Sequence, residues 1–426
     1  MKNSLIRAVL STGLLVTLVS SAFAGSYVLK NLRIVDSDGT VVENGMIIVS
    51  GDKIVHVGAP TSYEVGFTEI DCTGKTAYPG FINAYSTDVL DLPESPENAK
   101  EPDASNGPLP SFWHENRKGV FADIDASQHI AADELDDTDF FKQGITAALL
   151  TSGLGAFSGR AAVVNLSALE SGQVVLPRAF QEMSFRSGSG SGYPGSPMAR
   201  IALMRQLLFN AEHYVSNPPT EEDKQDAALA AIGDAAIGLD RTLFNASSER
   251  DIQRAFNLSD EFGLKLTIYG GLDAWQHATA LKQRGVEVIL DPDMGREPSR
   301  EPSEDPIRAL NDPPQEVLDA RYAQWADDAK YAIKLNNAGI RFAFGGDDLL
   351  DDVRKHIAIG LPKDVALKAL TINAAEILGV ANQLGSLTKG KLANIVLMSG
   401  DFADEDSEVT TVFVAGKMTD LTTEED

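Results

Sequence analysis

The feature that most narrows the possible folds is the alternation of short apolar runs with helical stretches through the middle of the chain. Thr242 to Asn245 reads as a short strand. Ser247-Ser248-Glu249-Arg250 opens a helix that runs to Glu261 and closes at Phe262-Gly263. Leu264 to Tyr269 is the next strand, ending at Gly270-Gly271, and Leu272 to Arg284 is helical. Val286 to Leu290 is another strand, stopped by Asp291-Pro292. Arg321 to Ala338 reads as one long helix with Gly339 as its C-cap, followed by a strand from Ile340 to Phe344 that ends in Gly345-Gly346-Asp347-Asp348. Strands separated by helical crossovers form a parallel sheet. About 300 residues of such units predict a (β/α)8 TIM-type barrel of the α/β class rather than an open sheet. No glycine-rich phosphate fingerprint follows an early strand. The nearest candidate, Gly153-Leu154-Gly155, leads into more strand at Phe157-Ser158-Gly159-Arg160, which argues against dinucleotide binding.

Both ends of the chain have a different texture. Tyr27 to Val35 alternates, a turn follows at Asp36-Ser37-Asp38-Gly39, and Gly45 to Val49 and Lys53 to Val57 flank a second turn at Ser50-Gly51-Asp52. Ala393 to Met398 and Thr410 to Ala415 have the same pattern. Two strand-rich ends around a mixed middle predict a small composite β-sandwich domain from residues 25–77 and 381–420. The barrel then occupies 78–380, and 421–426 forms an acidic tail. Long loops are expected at Asp88 to Asn106 and Asp291 to Pro314. Loops that follow barrel strands fall on the C-terminal face, where substrates bind.

The first 24 residues read as a processing signal. Lys2 and Arg7 precede an apolar run from Ala8 to Val19, and Ala22-Phe23-Ala24 is a small-x-small cleavage site before Gly25. The mature chain is expected to be periplasmic or secreted, with no membrane association after cleavage. A formal charge of −26 argues against nucleic acid as a partner. Cys72 is the single cysteine, so no intrachain disulfide is possible; it reads as a small buried residue before the Thr73-Gly74 turn.

Several motifs carry a resemblance. Val28 to Val35 with Gly45 to Gly58, then Ile70-Asp71-Cys72-Thr73-Gly74-Lys75 leading to Pro79-Gly80-Phe81-Ile82, are followed by Gly144-Ile145-Thr146-Ala147-Ala148 and Tyr193-Pro194-Gly195-Ser196-Pro197-Met198. Ala369-Leu370-Thr371-Ile372-Asn373-Ala374-Ala375, Gly385-Ser386-Leu387, Gly390-Lys391 and Ala393-Asn394-Ile395-Val396-Leu397 complete the set. In this order the chain resembles the amidohydrolase superfamily, in its imidazolonepropionase-like secreted branch, over nearly the whole mature length. The resemblance implies hydrolysis of C–N bonds in cyclic amides, small amides or peptide-like compounds by a divalent metal such as zinc. It implies metal ligands as two histidines on the first barrel strand, one each on the fifth and sixth, and an aspartate on the eighth. A carboxylated lysine or a glutamate sometimes bridges two metals at the fourth. The aspartate moves the proton from water to the leaving nitrogen.

Carried over by position, that ligand set is largely missing. The first-strand pair is Tyr85 and Thr87, the fifth strand offers Asn245 and the sixth Tyr269. Asp347, with Asp348 beside it, stands at the eighth and is the one catalytic residue the resemblance retains. The six histidines, His56, His114, His129, His213, His277 and His356, form no H-x-H or H-x-x-x-H pair. An oxygen-only site for Mg²⁺ or Ca²⁺ could draw on Asn83, Asp88, Asp91, Asn245 and Asp347. The plainer reading puts Asp88 and Asp91 in an acidic loop and Asp347 at a helix cap. Asn83, Asp88 and Asp348 are the cleft candidates. Three functions follow: an amidohydrolase relative with lost or atypical metal catalysis, an active C–N hydrolase using Asp347, and a non-catalytic ligand-binding protein or partner of an active paralogue. A small amide-type ligand and homo-oligomerisation are the expected associations.

Overall fold

The computed structural model describes residues 25–92, 119–131, 138–166, 174–185, 194–220, 225–301 and 313–422. The signal segment, His114 and most of the first long loop lie outside these residues.

The two ends of the chain meet in one eight-stranded sheet. The N-terminal end supplies β1 (Ser26–Val35), β2 (Val41–Ser50), β3 (Lys53–Gly58), β4 (Thr68–Asp71) and β5 (Thr76–Pro79). The C-terminal end supplies β14 (Ile395–Met398), β15 (Val409–Val414) and β16 (Lys417–Asp420). The order is β16-β15-β14-β5-β1-β2-β3, with β4 also paired to β1. The chain ends join where β5 runs antiparallel to β14, with Ala77 opposite Leu397 and Pro79 opposite Ile395. Period-2 alternation turns Leu29, Ile47, Val49, Ala77, Ile395, Leu397 and Phe413 to one buried cluster, and Cys72 belongs to it. Burial pushes the Cys72 thiol up, in keeping with a small core residue rather than a nucleophile.

The second eight-stranded sheet is the barrel: β6 (Phe81–Ser86), β7 (Ile145–Leu150), β8 (Phe157–Asn165), β9 (Val174–Ser184), β10 (Arg241–Ala246), β11 (Lys265–Gly270), β12 (Glu287–Leu290) and β13 (Phe342–Phe344), hydrogen-bonded in chain order. Around it lie α1 (Thr138–Lys142), α2 (Pro197–Ser216), α3 (Ala227–Ala236), α4 (Glu249–Phe262), α5 (Ala278–Arg284), α6 (Gln315–Asp328), α7 (Tyr331–Asn337), α8 (Leu349–Ala358), α9 (Lys363–Leu370) and α10 (Ile372–Leu378). Helix α4 shows the local logic: the Ser248 hydroxyl caps the Asp251 amide, and Gly263 closes the far end at φ +66°.

Two features depart from expectation. The barrel is not eight repeated β/α units, because β8 runs antiparallel to both β7 and β9. Thr151 to Ala156 is too short for a crossover helix, so the chain can only turn back beside β7. The single helix expected from Arg321 to Ala338 is two helices, α6 and α7, with the break at Ala329-Lys330. The break coincides with the point where Tyr331 turns inward and donates its hydroxyl to the Asp291 carbonyl at 2.7 Å.

Small and apolar residues fill the barrel interior: Ile82, Ala84, Ala147, Leu149, Ala161, Val163, Leu243, Ile289 and Ala343. Its N-terminal end is closed by α10, whose Ala374, Ala375, Ile377 and Leu378 join the same cluster. Arg241 locks this floor. Its guanidinium donates to the Ile377 and Leu378 carbonyls, both at 2.7 Å, and lies over the Phe180 ring. A cation there satisfies the free carbonyls and negative dipole end of α10.

Candidate site at the barrel mouth

With one end plugged, polar side chains reach the interior at the C-terminal ends of the strands. The inward face of β9 continues from Phe180 to Glu182 and Ser184, that of β10 from Leu243 to Asn245, and that of β11 from Thr267 to Tyr269. Asn245 pairs in register with Ser184 on one side and Tyr269 on the other.

Tyr85 and Tyr269 cross the mouth together. Their rings stack with centroids 3.5 Å apart and planes 10° from parallel. The Tyr85 hydroxyl donates to Glu182 Oε1 at 3.0 Å, and the Thr151 hydroxyl donates to Glu182 Oε2. Glu182 is fully buried, whereas Tyr85 and Tyr269 keep 6% and 7% exposure at the mouth. The β7–β8 loop folds over this group. Gly153, at φ +63°, has room for no side chain: a Cβ would stand 2.8 Å from Thr87 Cγ2 and 3.4 Å from the Tyr85 oxygen. The Gly153-Leu154-Gly155 run thus serves close packing, since a Cβ on Gly155 would strike the Gly119 carbonyl at 2.4 Å.

Asn83 is not in an open cleft. It is buried, and its carboxamide closes the seam between the first and last barrel strands. Its Nδ2 donates to the Gly346 carbonyl at 2.9 Å, while its Oδ1 accepts from the Gly346 amide at 3.1 Å and the Tyr85 amide at 3.2 Å. This seam sets where Asp347 begins. Asp347 stands exposed on the rim, and burial of part of its carboxyl, then the nearby Asp88, Asp348 and Asp293, raise its pKa. Asp291 and Asp352 are raised for the same first reason, desolvation. Helix α8 takes Asp348 rather than Asp347 as its N-cap residue, and no side-chain cap bond forms. Asp88 holds Ser86, accepting from its hydroxyl at 3.2 Å. Asp91 binds through its backbone amide to the His129 carbonyl, so that segment packs on 129–131.

A divalent metal does not fit these residues. The Tyr85 hydroxyl is committed to Glu182, the stacked rings leave no space for an ion between them, and the Thr87 methyl abuts Gly153. Among the described residues no three His, Cys, Asp or Glu come together as a ligand group. This holds for the oxygen-only alternative as well, because Asn83 is consumed by the seam. The described histidines serve elsewhere. His56 pairs with the Ala59 carbonyl, and His277 with the Glu249 carbonyl. His356 is fully buried behind β13, with Nε2 3.1 Å from the Pro292 carbonyl and 3.0 Å from the Tyr331 hydroxyl. Burial lowers its pKa to about 4, so it is neutral at ordinary pH.

The amidohydrolase family profile matches residues 324–419, which run from α6 through β16. The whole fold agrees with it. The crystal structure of an amidohydrolase from Thermotoga maritima MSB8 superposes with a TM-score of 0.73 at 19% identity, covering 92% of this chain and 99% of that one. The C-terminal segment is thus similar to the amidohydrolase family, and the chain as a whole shares the fold of that solved amidohydrolase. A prolidase complexed with N-methylphosphonate-L-proline is similar at a TM-score of 0.54 and 20% identity, covering 93% of this chain and 99% of that one. A Xaa-Pro dipeptidase with bound methionine gives 0.53 and 16%, covering 93% and 100%. No curated protein matches the sequence. At these identities the solved structures speak for the fold.

The residue that sequence reasoning passed over is Glu182. It stands on the fourth strand of the barrel, where the resemblance allows a glutamate. The signal was present: a lone acid at an inward position of Ala179-Phe180-Gln181-Glu182-Met183. Thr151 carried no comparable mark.

Proposed function

We propose that this chain is an exported member of the amidohydrolase superfamily whose mouth binds a small amide-type ligand without the family's metal centre. The observation that supports this is the Tyr85–Tyr269 stack, hydrogen-bonded to Glu182, in the space that metal ligands would need. Hard or soft divalent ions require several anionic or imidazole donors gathered together, whereas the residues here are a phenol and a glutamate engaged with each other, a threonine, an amide and one rim carboxylate, Asp347. The stacked aromatic faces, the Asn245 carboxamide and the rim carboxylates suit a planar amide instead. Kinship with C–N hydrolases is the reason for favouring amides over other small molecules.

One experiment tests location and metal together: elemental analysis and intact mass of the mature protein purified from its own host, before and after a chelator wash. The expected result is a chain beginning at Gly25 with substoichiometric metal. One equivalent of a transition metal, with amide hydrolysis lost on chelation, overturns the metal-free reading. A second reading, hydrolysis with Asp347 as general base, is favoured by the raised pKa of that carboxyl. It requires Asp347→Asn to abolish any amide hydrolysis found.

A further inference from the structure

The group formed by Tyr85, Glu182 and Thr151 has the layout of an activated nucleophile. A weak nucleophile sits within hydrogen-bond reach of a base, and a third group orients the base. Here the phenol of Tyr85 is 3.0 Å from Glu182 Oε1, and the Thr151 hydroxyl fixes the other carboxylate oxygen. The three come from β6, β9 and the end of β7, at the C-terminal face where barrel enzymes place their chemistry. Gly153 lets the β7–β8 loop pack close to the phenol, since a Cβ there would stand 3.4 Å from its oxygen and 2.8 Å from Thr87 Cγ2. Asn245 supplies a fourth element. It faces inward beside Tyr269, is half-buried, and makes no side-chain hydrogen bond with any described residue, so its amide is free to donate to a carbonyl oxygen.

We propose that Tyr85 is a metal-free acyl-transfer nucleophile with Glu182 as its base, acting on small carbonyl compounds such as activated esters and strained cyclic amides. This rests on the reading that the mouth binds carbonyl compounds without metal. The Tyr85 oxygen attacks the acyl carbon as Glu182 takes the phenol proton. The bond to the leaving nitrogen or oxygen breaks, and Glu182 returns that proton to the leaving group. The O-acyl tyrosine is then cleaved by water, whose proton passes through Glu182 back to the Tyr85 oxygen. The products are the acid and the free amine or alcohol, with no change in oxidation state. Asn245 donates to the carbonyl oxygen as negative charge builds on it.

The test treats the mature, chelator-washed protein with p-nitrophenyl acetate and maps adducts by intact mass and peptide sequencing. The expected result is a single acetyl group on Tyr85, formed in a nitrophenol burst of one equivalent. Tyr85→Phe keeps the ring stack and should abolish the burst. Glu182→Gln should slow it on the order of 10²- to 10⁴-fold, the usual reach of a general base. Far-UV and near-UV circular dichroism verify that both variants are folded. The adduct site is read in the unaltered protein, so the outcome holds even where a variant misfolds. No acetyl on Tyr85, or a burst that survives Tyr85→Phe, overturns the nucleophile and leaves the binding reading standing. A Tyr85 adduct that forms only with added metal overturns the metal-free reading and keeps Tyr85 as the nucleophile.

Discussion

Single side chains decide how this barrel closes. Asn83 joins the β6 and β13 ends with two hydrogen bonds to Gly346 and accepts a third from the Tyr85 amide of its own strand, where the described strands form no backbone ladder. Gly345 allows the approach, since a Cβ there would stand 2.3 Å from the Tyr85 amide nitrogen. Removing one partner from a buried polar pair leaves the other unsatisfied, at about 1–3 kcal/mol per group. Asn83→Ala is therefore expected to lower unfolding free energy by about 3 kcal/mol in urea titration, the shared amide making the three terms less than additive. A midpoint unchanged from the parent protein would show that the seam closes by other means. Glu182 is the same type of residue: a buried acid whose two oxygens accept from hydroxyls on different strands. Neither role can be read from a residue's neighbours in sequence. Asn83 and Gly346 are 263 positions apart, and Tyr85 and Glu182 are 97 apart.

At the scale of elements, α7 and α8 are pinned to the ends of β12 and β13 by one buried polar contact. Tyr331 from α7 and His356 from α8 share a hydrogen bond and reach the Asp291 and Pro292 carbonyls. His356 Nδ1 has no partner among the described residues, so protonating the ring would place a buried positive charge there. Because the folded pKa is depressed from 6.5 to about 4, the unfolded chain binds this proton first. Stability from His356 is then fully present above pH 6.5 and is lost as pH falls from there toward 4. Asp291 and Asp352 act in the opposite sense. Their raised pKa values favour the folded state most when they are protonated. His356→Gln is expected to flatten the loss of stability between pH 6.5 and about 4 in urea titrations; an unchanged slope would assign that loss to other groups. Strand direction was the element-level feature hidden from the sequence. Alternation marks Phe157 onward as strand whether it runs up or down, and the turn at Thr151 to Ala156 decides which.

For the whole molecule, the sheet that joins both chain ends makes the barrel depend on the last thirty or so residues. Strand β5, which leads into β6, has β14 as its neighbour, and Asn394 reaches back to the Thr146 and Asn165 side chains at 3.1 and 3.0 Å. Deleting residues 391–426 would bare the β5 edge together with Ala77 and Leu29 of that core. The expected outcome is loss of the cooperative thermal transition and aggregation in size-exclusion chromatography; a monomeric, cooperatively melting fragment would show the barrel to be autonomous. Sequence by itself determined much of this. Glycine punctuation, apolar period and the ordered C-terminal motifs placed β10 to β13 and the strands at both ends, because these depend on local backbone preference and spacing. It also showed that histidine is missing at the strand ends. What stands in its place came from the tertiary structure alone. Tyr85, Tyr269, Glu182 and Thr151 lie on four separate strands or strand ends, and only closure of the barrel brings two rings within 3.5 Å and a carboxylate beneath them.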